Sequence, residues 1–192
     1  MTPVTAGSIY NFKVESRSLF GYSAYSEVYP ILSATIPDQP QIPTTSVSIN
    51  NLIVAWQAPY NQGSPILGYH IYIRESDGVS FAEELTHCDG SDLTIRTNTV
   101  CSIPLTLILA APFNKNIGTS IYAKVVAYNI VGQSIASSVG NGAVMFISTV
   151  PDAPVNLARD EATTTTTAIG ITWSNGAYNG GLPVIDYRLS YD

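Results

Sequence analysis

The chain has 192 residues, 45% of them hydrophobic, which is ample for a packed core and too much for a disordered chain. Eight Lys and Arg stand against 14 Asp and Glu, a formal charge of −6, so the basic stripe that phosphate binding demands is missing and nucleic acid is excluded as an expected partner. No run reaches the roughly 18 apolar residues that cross a bilayer, and MTPVTAGSIYNF lacks the basic-then-apolar pattern of a secretory leader. Twelve Tyr, 12 Pro and 14 Gly, with abundant Thr, Ser, Val and Ile, are the composition of short strands joined by turns. The expected class is all-β.

In chain order, a strand-like stretch from Tyr10 leads to a Gly21 turn and then to the Pro-rich junction IPDQP at 36–40. Leu52, Val54 and Trp56 then face one way, and Ile53, Ala55 and Gln57 the other. Tyr69, Ile71 and Ile73 alternate with His70, Tyr72 and Arg74, the period of two that a half-buried strand requires. Cys88 and Cys101 follow, enclosing the twelve residues DGSDLTIRTNTV. Two nearby cysteines suit a local disulfide better than a metal site needing three or four ligands; two free thiols in a reducing compartment are the alternative. Residues 103–111, IPLTLILAA, are an ambiguous apolar run that Pro104 and Pro112 bracket too tightly for a good helix. Ile121, Ala123, Val125 and Ala127 form the inner face of another strand, and a second Pro-rich junction, VPDAP, occupies 150–154. The last stretch sets out Ile171, Trp173, Tyr187 and Leu189 on two strand-like runs joined by an Asn/Gly-rich turn.

These pieces repeat. Trp56, Tyr60, Pro65 and Tyr69 recur as Trp173, Tyr178, Pro183 and Tyr187, while YNFKVESRSLFGYSAYS from Tyr10 matches IYAKVVAYNIVGQSIAS from Ile121. One complete unit with two incomplete neighbours is therefore expected. PDQP with Trp56, Pro65 with Tyr69, and Asn129 with Gly132 and Ser134 together resemble the fibronectin type III family, a two-sheet β-sandwich. The flanking copies carry the same marks, with PDAP, Trp173, Pro183 and Tyr187 on one side, and Tyr10, Phe12, Val14, Gly21 and Ser23 on the other. The resemblance implies three segments. Residues 1–36 hold the last two strands of a partial unit; 37–150 are a complete unit with an insertion at about 77–112; 151–192 hold the first three strands of another partial unit. It casts Trp56 and Trp173 as core residues with Tyr69 and Tyr187, and Phe12 and Val14 as core strand positions. Tyr10 becomes a corner tyrosine whose hydroxyl ties to nearby backbone, and Ile121 at the matching place puts that bond in doubt in the complete unit. CDGSD at 88–92 and YAKVVAYN at 122–129 also resemble large surface repeat proteins of ciliated protozoa.

No residue pattern points to catalysis. His70 and His87 have no supporting motif, no serine sits in a nucleophile elbow, and NGG at 179–181 joins strands rather than cradling phosphate. No cofactor is expected. Asp89 and Asp92 are weak candidates for calcium, lacking the closing bidentate Glu of a calcium loop. Neither Arg-Gly-Asp nor an Asn-x-Ser/Thr acceptor occurs. The expected function is a non-enzymatic structural or adhesive repeat segment of a longer extracellular or cell-surface protein, the stapled insertion exposed as its contact surface. Its partners would be proteins, first among them neighbouring repeats. Complementary halves at the two ends permit either a cut from a tandem array or a homopolymer that grows head to tail into a filament. The alternative is a ligand-binding module of a receptor-type protein.

Overall fold

Strands that bury every second residue must be covered on one side, and the alternation around Trp56 decides where the core lies. A computed structural model describes residues 3–146 and 148–191. Four short strands come first: β1 (Ile9–Phe12), β2 (Arg17–Ser18), β3 (Gly21–Tyr22) and β4 (Tyr29–Leu32), with β1 paired to β4 and β2 to β3. The middle of the chain contains β5 (Thr44–Ser48), β6 (Asn51–Ala55), β7 (Gly68–Arg74), β8 (Phe81–Glu83), α1 (Leu93–Asn98), β9 (Val100–Pro104), α2 (Leu105–Leu109), β10 (Ser120–Ile121), β11 (Ala123–Tyr128) and β12 (Ala143–Val144). β13 (Val155–Arg159) and β14 (Ile171–Ser174) close the list as an antiparallel pair.

The middle strands form two three-stranded antiparallel sheets, ordered β5–β6–β9 and β11–β7–β8, with β10 paired to β12 beside them. Leu52, Val54 and Ile103 from the first sheet meet Ile71, Ile73, Ala123 and Val125 from the second, all essentially without solvent exposure. This is the sandwich core that the period of two anticipates. After Tyr128 the chain follows β11 only intermittently, through Ser134 N–H to the Ala127 carbonyl, Ser137 to Val125 and Gly140 to Ala123. The hydroxyls of Ser134 and Ser137 accept from the Ala127 and Val125 amides, closing an edge that backbone pairing alone leaves open.

Several elements differ from the sequence reading: α1 was not expected, and residues 1–36 hold four short strands in place of two. The run at 103–111 does contain a helix, α2, with Leu105 and Ile108 buried on one face. A five-residue helix fits between Pro104 and Pro112 because it is little more than one turn, and Pro104 stands at the N-cap position, where a missing N–H costs nothing. The third strand expected from Pro183 through Tyr187 is absent: among the described residues, 183–190 form no strand. Its counterpart β7 has β11 on one side and β8 on the other. A strand without a hydrogen-bonding neighbour has nothing to fix its backbone.

Candidate functional site

The complete sandwich is centred on an aromatic pair. Trp56 is buried and meets Tyr69 edge to face, ring centroids 5.3 Å apart at 67°. Among the described residues its indole Nε1 finds no hydrogen-bond partner, and burial pushes the Tyr69 phenol pKa up. Beside this pair lies the Cys88–Cys101 disulfide, with its Cα atoms 5.2 Å apart. Both cysteines are buried and belong to the core cluster, Cys101 standing opposite Val54 on the neighbouring strand. The staple is thus not on an exposed insertion, as its polar wording suggested; it fastens a cap to the core. The segment folds back onto the start of β7. The Gly90 carbonyl accepts from Tyr69 N–H at 3.1 Å, and Arg96 Nη1 donates to the Leu67 carbonyl at 2.7 Å. Gly90 is required there, since a Cβ would stand 2.1 Å from the Tyr69 carbonyl oxygen. Asp92 caps α1 by accepting from Thr94 and Ile95, and Asp89 accepts from the amide and hydroxyl of Ser91, which holds its pKa below the usual value. The two calcium candidates therefore shape the cap. Among the described residues, no group of three His, Cys, Asp or Glu side chains converges as a metal site would.

The remaining singled-out residues are dispersed. Tyr10 accepts a hydrogen bond from Thr5 N–H at 2.8 Å, a corner bond that also lowers its phenol pKa. In the complete unit Ile121 is buried at the matching place and cannot make that bond; Thr119 N–H donates to the Asn116 carbonyl at 3.1 Å, as Ser8 N–H does to the Thr5 carbonyl at 3.2 Å in the first unit. Phe12 and Val14 are exposed, and so is Tyr187. Trp173 and Tyr187 nevertheless meet at 5.3 Å and 66°, nearly the geometry of Trp56 and Tyr69. The histidines lie apart from each other's surroundings, His70 Nδ1 against Glu83 Oε1 at 3.0 Å and His87 Nδ1 against Glu84 Oε2 at 3.3 Å.

The feature that sequence reasoning missed is the construction of the junctions. Thr35 N–H donates to the Gln62 carbonyl at 3.1 Å, and Thr149 N–H donates to the Gly180 carbonyl at 2.8 Å. Just beyond, Asp38 N–H donates to Tyr60 and Asp152 N–H to Tyr178, at 3.0 and 2.9 Å. Matching positions thus bond at both places: Thr35–Gln62 and Thr149–Gly180 cross from one unit to the next, while Asp38–Tyr60 and Asp152–Tyr178 fasten the start of each following unit. At the first, Asn129 Nδ2 also holds the Thr35 carbonyl, and Gly63, at φ +87°, packs so closely that a Cβ would lie 2.7 Å from Gly7 N and from Ser33 O. At the second, Asn50 binds Ser148 at both its amide and its carbonyl. A repeat of 114 residues between the two Pro-Asp pairs was the available signal, but it gave no bonds because these donors and acceptors are backbone groups.

Two antiparallel sheets in the order β5–β6–β9 and β11–β7–β8, with a Trp–Tyr pair repeated in matching geometry, decide the architecture. The fold is all-β, and its complete unit has the architecture of a fibronectin-type, immunoglobulin-like β-sandwich. No protein-family model matches it. Solved structures similar to it include titin domains (TM-score 0.46, 19% identity, covering 66% of this chain and 37% of that one) and the FN1–FN3 domains of chicken CNTN1 (TM-score 0.49, 13% identity, 90% and 54%). The kinase region of C. elegans twitchin is similar at TM-score 0.41 and 22% identity, over 56% of this chain and 16% of that one. A Kelch domain-containing protein of Saccharolobus solfataricus is 25% identical over 80 residues, 41% of this chain. The chain spans 11% of the length of that relative. No helix among the described residues is long and apolar enough to cross a membrane. The sandwich thus offers a core, a fastened cap and two like junctions.

Proposed function

We propose that this chain is a non-enzymatic structural segment of a longer extracellular or cell-surface protein, in which fibronectin-type units serve as stiff, adhesive spacers between neighbouring repeats. The observation that carries this reading is the recurrence of one hydrogen-bonded junction at 35–38 and 149–152. Short proline-rich connections already restrict motion, and backbone bonds across them remove most of what is left. The buried disulfide supports an oxidising location. Gly63→Ala tests the spacer role. The left-handed backbone itself disfavours an L side chain by roughly 1–2 kcal/mol, and the new Cβ would collide with backbone of the preceding unit, so the junction must open. Small-angle scattering should report a changed and broader distribution of inter-unit distances in Gly63→Ala, with the complete unit still folded. An unaltered distribution would sink the stiff junction. Trapping free thiols in native material checks the location; reduced Cys88 and Cys101 would contradict it.

A second reading is favoured by the unpaired stretch at 183–190, where Ile185 and Leu189 are exposed. Transferring the register of β7 on β11 to the terminal units sets Tyr187 opposite Ser16, Leu189 opposite Val14 and Tyr191 opposite Phe12. Strands from one copy could thereby complete the sandwich of the next in a contact that need not close, giving a filament. Size in solution tests it: a concentration-dependent ladder is expected, and a clean monomer overturns it.

A further inference from the structure

Three asparagines of the chain are followed by glycine: Asn141, Asn175 and Asn179. An Asn-Gly peptide is a chemically weak point of a backbone, because the glycine has no side chain to screen its nitrogen from the amide carbon of the asparagine before it. The third of these pairs lies in the second junction. The Gly180 carbonyl accepts from Thr149 N–H at 2.8 Å, and the Tyr178 carbonyl accepts from Asp152 N–H at 2.9 Å. A Cβ at 180 would stand 2.1 Å from the Thr149 carbonyl oxygen, so close packing across the junction demands the glycine. The close contact and the exposure to attack come from the same missing side chain.

The surroundings set the three pairs apart. Asn179 is exposed, and its Oδ1 accepts from Gly181 N–H at 3.0 Å. That bond folds the amide back over the peptide that follows it and polarises the carbonyl on which attack would place an oxyanion. Among the described residues the Gly180 N–H donates no hydrogen bond. Asn141 is anchored instead on another strand: its Oδ1 accepts from the Thr45 amide at 2.7 Å and the Thr45 hydroxyl at 3.1 Å, and its Nδ2 donates to the Thr45 carbonyl at 3.1 Å. Asn175 Oδ1 accepts from the Tyr187 hydroxyl rather than from its own backbone. The first junction supplies a matched comparison. Asn61 stands where Asn179 does, and its Oδ1 accepts from Gly63 N–H at 3.1 Å, the same turn. Residue 62, however, is glutamine, whose side chain crowds the nitrogen.

We propose that Asn179 is a site of spontaneous deamidation and isomerisation that loosens the second junction as the protein ages, while Asn61 leaves the first intact. The Gly180 nitrogen, giving up its proton to water, bonds to Asn179 Cγ; the Cγ–Nδ2 bond breaks and ammonia leaves. One water then opens the five-membered succinimide. Cleavage at Cγ yields aspartate, and cleavage at the original backbone carbonyl yields isoaspartate, whose main chain runs through the side-chain carbon. Water is the one co-reactant. Isoaspartate inserts a methylene, about 1.5 Å of bond, between Tyr178 and Gly180. Those two carbonyls hold Asp152 and Thr149 at a fixed spacing, so both bonds cannot persist. The Tyr178–Asp152 contact is doubled, since Asp152 Oδ2 accepts from Tyr178 N–H at 3.1 Å, and the single bond from Thr149 is the one to break. The chemistry is independent of the spacer reading, and the loosening rests on it.

The test ages the purified full chain at mildly alkaline pH, folded and in urea, and locates aspartate and isoaspartate by peptide mass spectrometry with electron-transfer fragmentation. In the folded chain Asn179 should convert first, with isoaspartate the main product. Asn61 should convert at least roughly tenfold more slowly, about 1.4 kcal/mol in the barrier. Urea should bring Asn141 up to the rate of Asn179, since local sequence alone then decides. Small-angle scattering of the aged chain should show a broader distribution of inter-unit distances. Asn179→Ser keeps an oxygen acceptor for Gly181 N–H without an amide to lose, and should scatter alike before and after ageing. Freshly prepared Asn179→Asp, which carries the charge on an ordinary backbone, should scatter as the unaged chain does. The proposal is overturned if Asn179 stays intact in the folded chain, or if Asn141 or Asn61 converts as fast. Conversion at Asn179 with unchanged scattering overturns the loosening, and Gly63→Ala, which probes the other junction, then shows whether the spacer reading fails with it.

Discussion

Removing the staple by Cys88→Ala with Cys101→Ala gives a quantitative test of the capped core. The bond joins residues 13 apart in sequence, and closing a loop of that size in the unfolded chain removes about 10 cal/mol/K of entropy, roughly 3 kcal/mol at 25 °C. Both cysteines are buried in the core cluster that holds Val54, Ile103 and the Trp56–Tyr69 pair, so loss of their sulfurs adds a packing term of about 1 kcal/mol. Urea unfolding followed by tryptophan fluorescence would read the sum. With a slope of roughly 2 kcal/mol/M the midpoint should fall by about 2 M. The reduced native chain, which keeps its sulfur atoms, should lose only the entropic part. A loss below about 1 kcal/mol in the double variant would refute the reasoning, because Gly90, Asp92 and Arg96 would then order the cap without the bond.

Trp56→Ala should destabilise the complete unit by roughly 3–5 kcal/mol, since a large ring leaves a cavity between two sheets; thermal melting that shifts by only a few degrees would contradict its central place. Tyr10→Phe removes the acceptor for Thr5 N–H and should cost about 0.5–1.5 kcal/mol in the first unit, measured as faster amide exchange at Thr5. Asp77, Asp89 and Asp160 each accept local hydrogen bonds that hold their pKa below 3.8. Their contribution is present above the unfolded value and lost as pH falls through the depressed folded value, so acid titration should weaken the turns they cap below pH 3.8. Asp89→Asn should flatten its share of that acid dependence in chemical-shift titration.

What could be read in the sequence was what side chains encode through period. Leu52, Val54 and Trp56, then Tyr69, Ile71 and Ile73, alternate without exception and lie in the core. The cap was misread for a related reason: DGSD is polar by composition, yet Asp89 and Asp92 turn their oxygens onto their own backbone while Cys88 and Ile95 point inward. Helix α2 was obscured because Leu105 and Ile108 share one face over a single turn, too short for a helical period to emerge. Residues 183–190 carry a strand's side-chain pattern but no strand, because pairing belongs to the neighbour as much as to the sequence.

The bonds that cross from one unit to the next run between backbone groups, which side-chain variation among repeats leaves untouched, and Asn129 adds one side-chain bond to the Thr35 carbonyl. A change at position 63 therefore acts on the attachment of one unit to the next and not on the core of either.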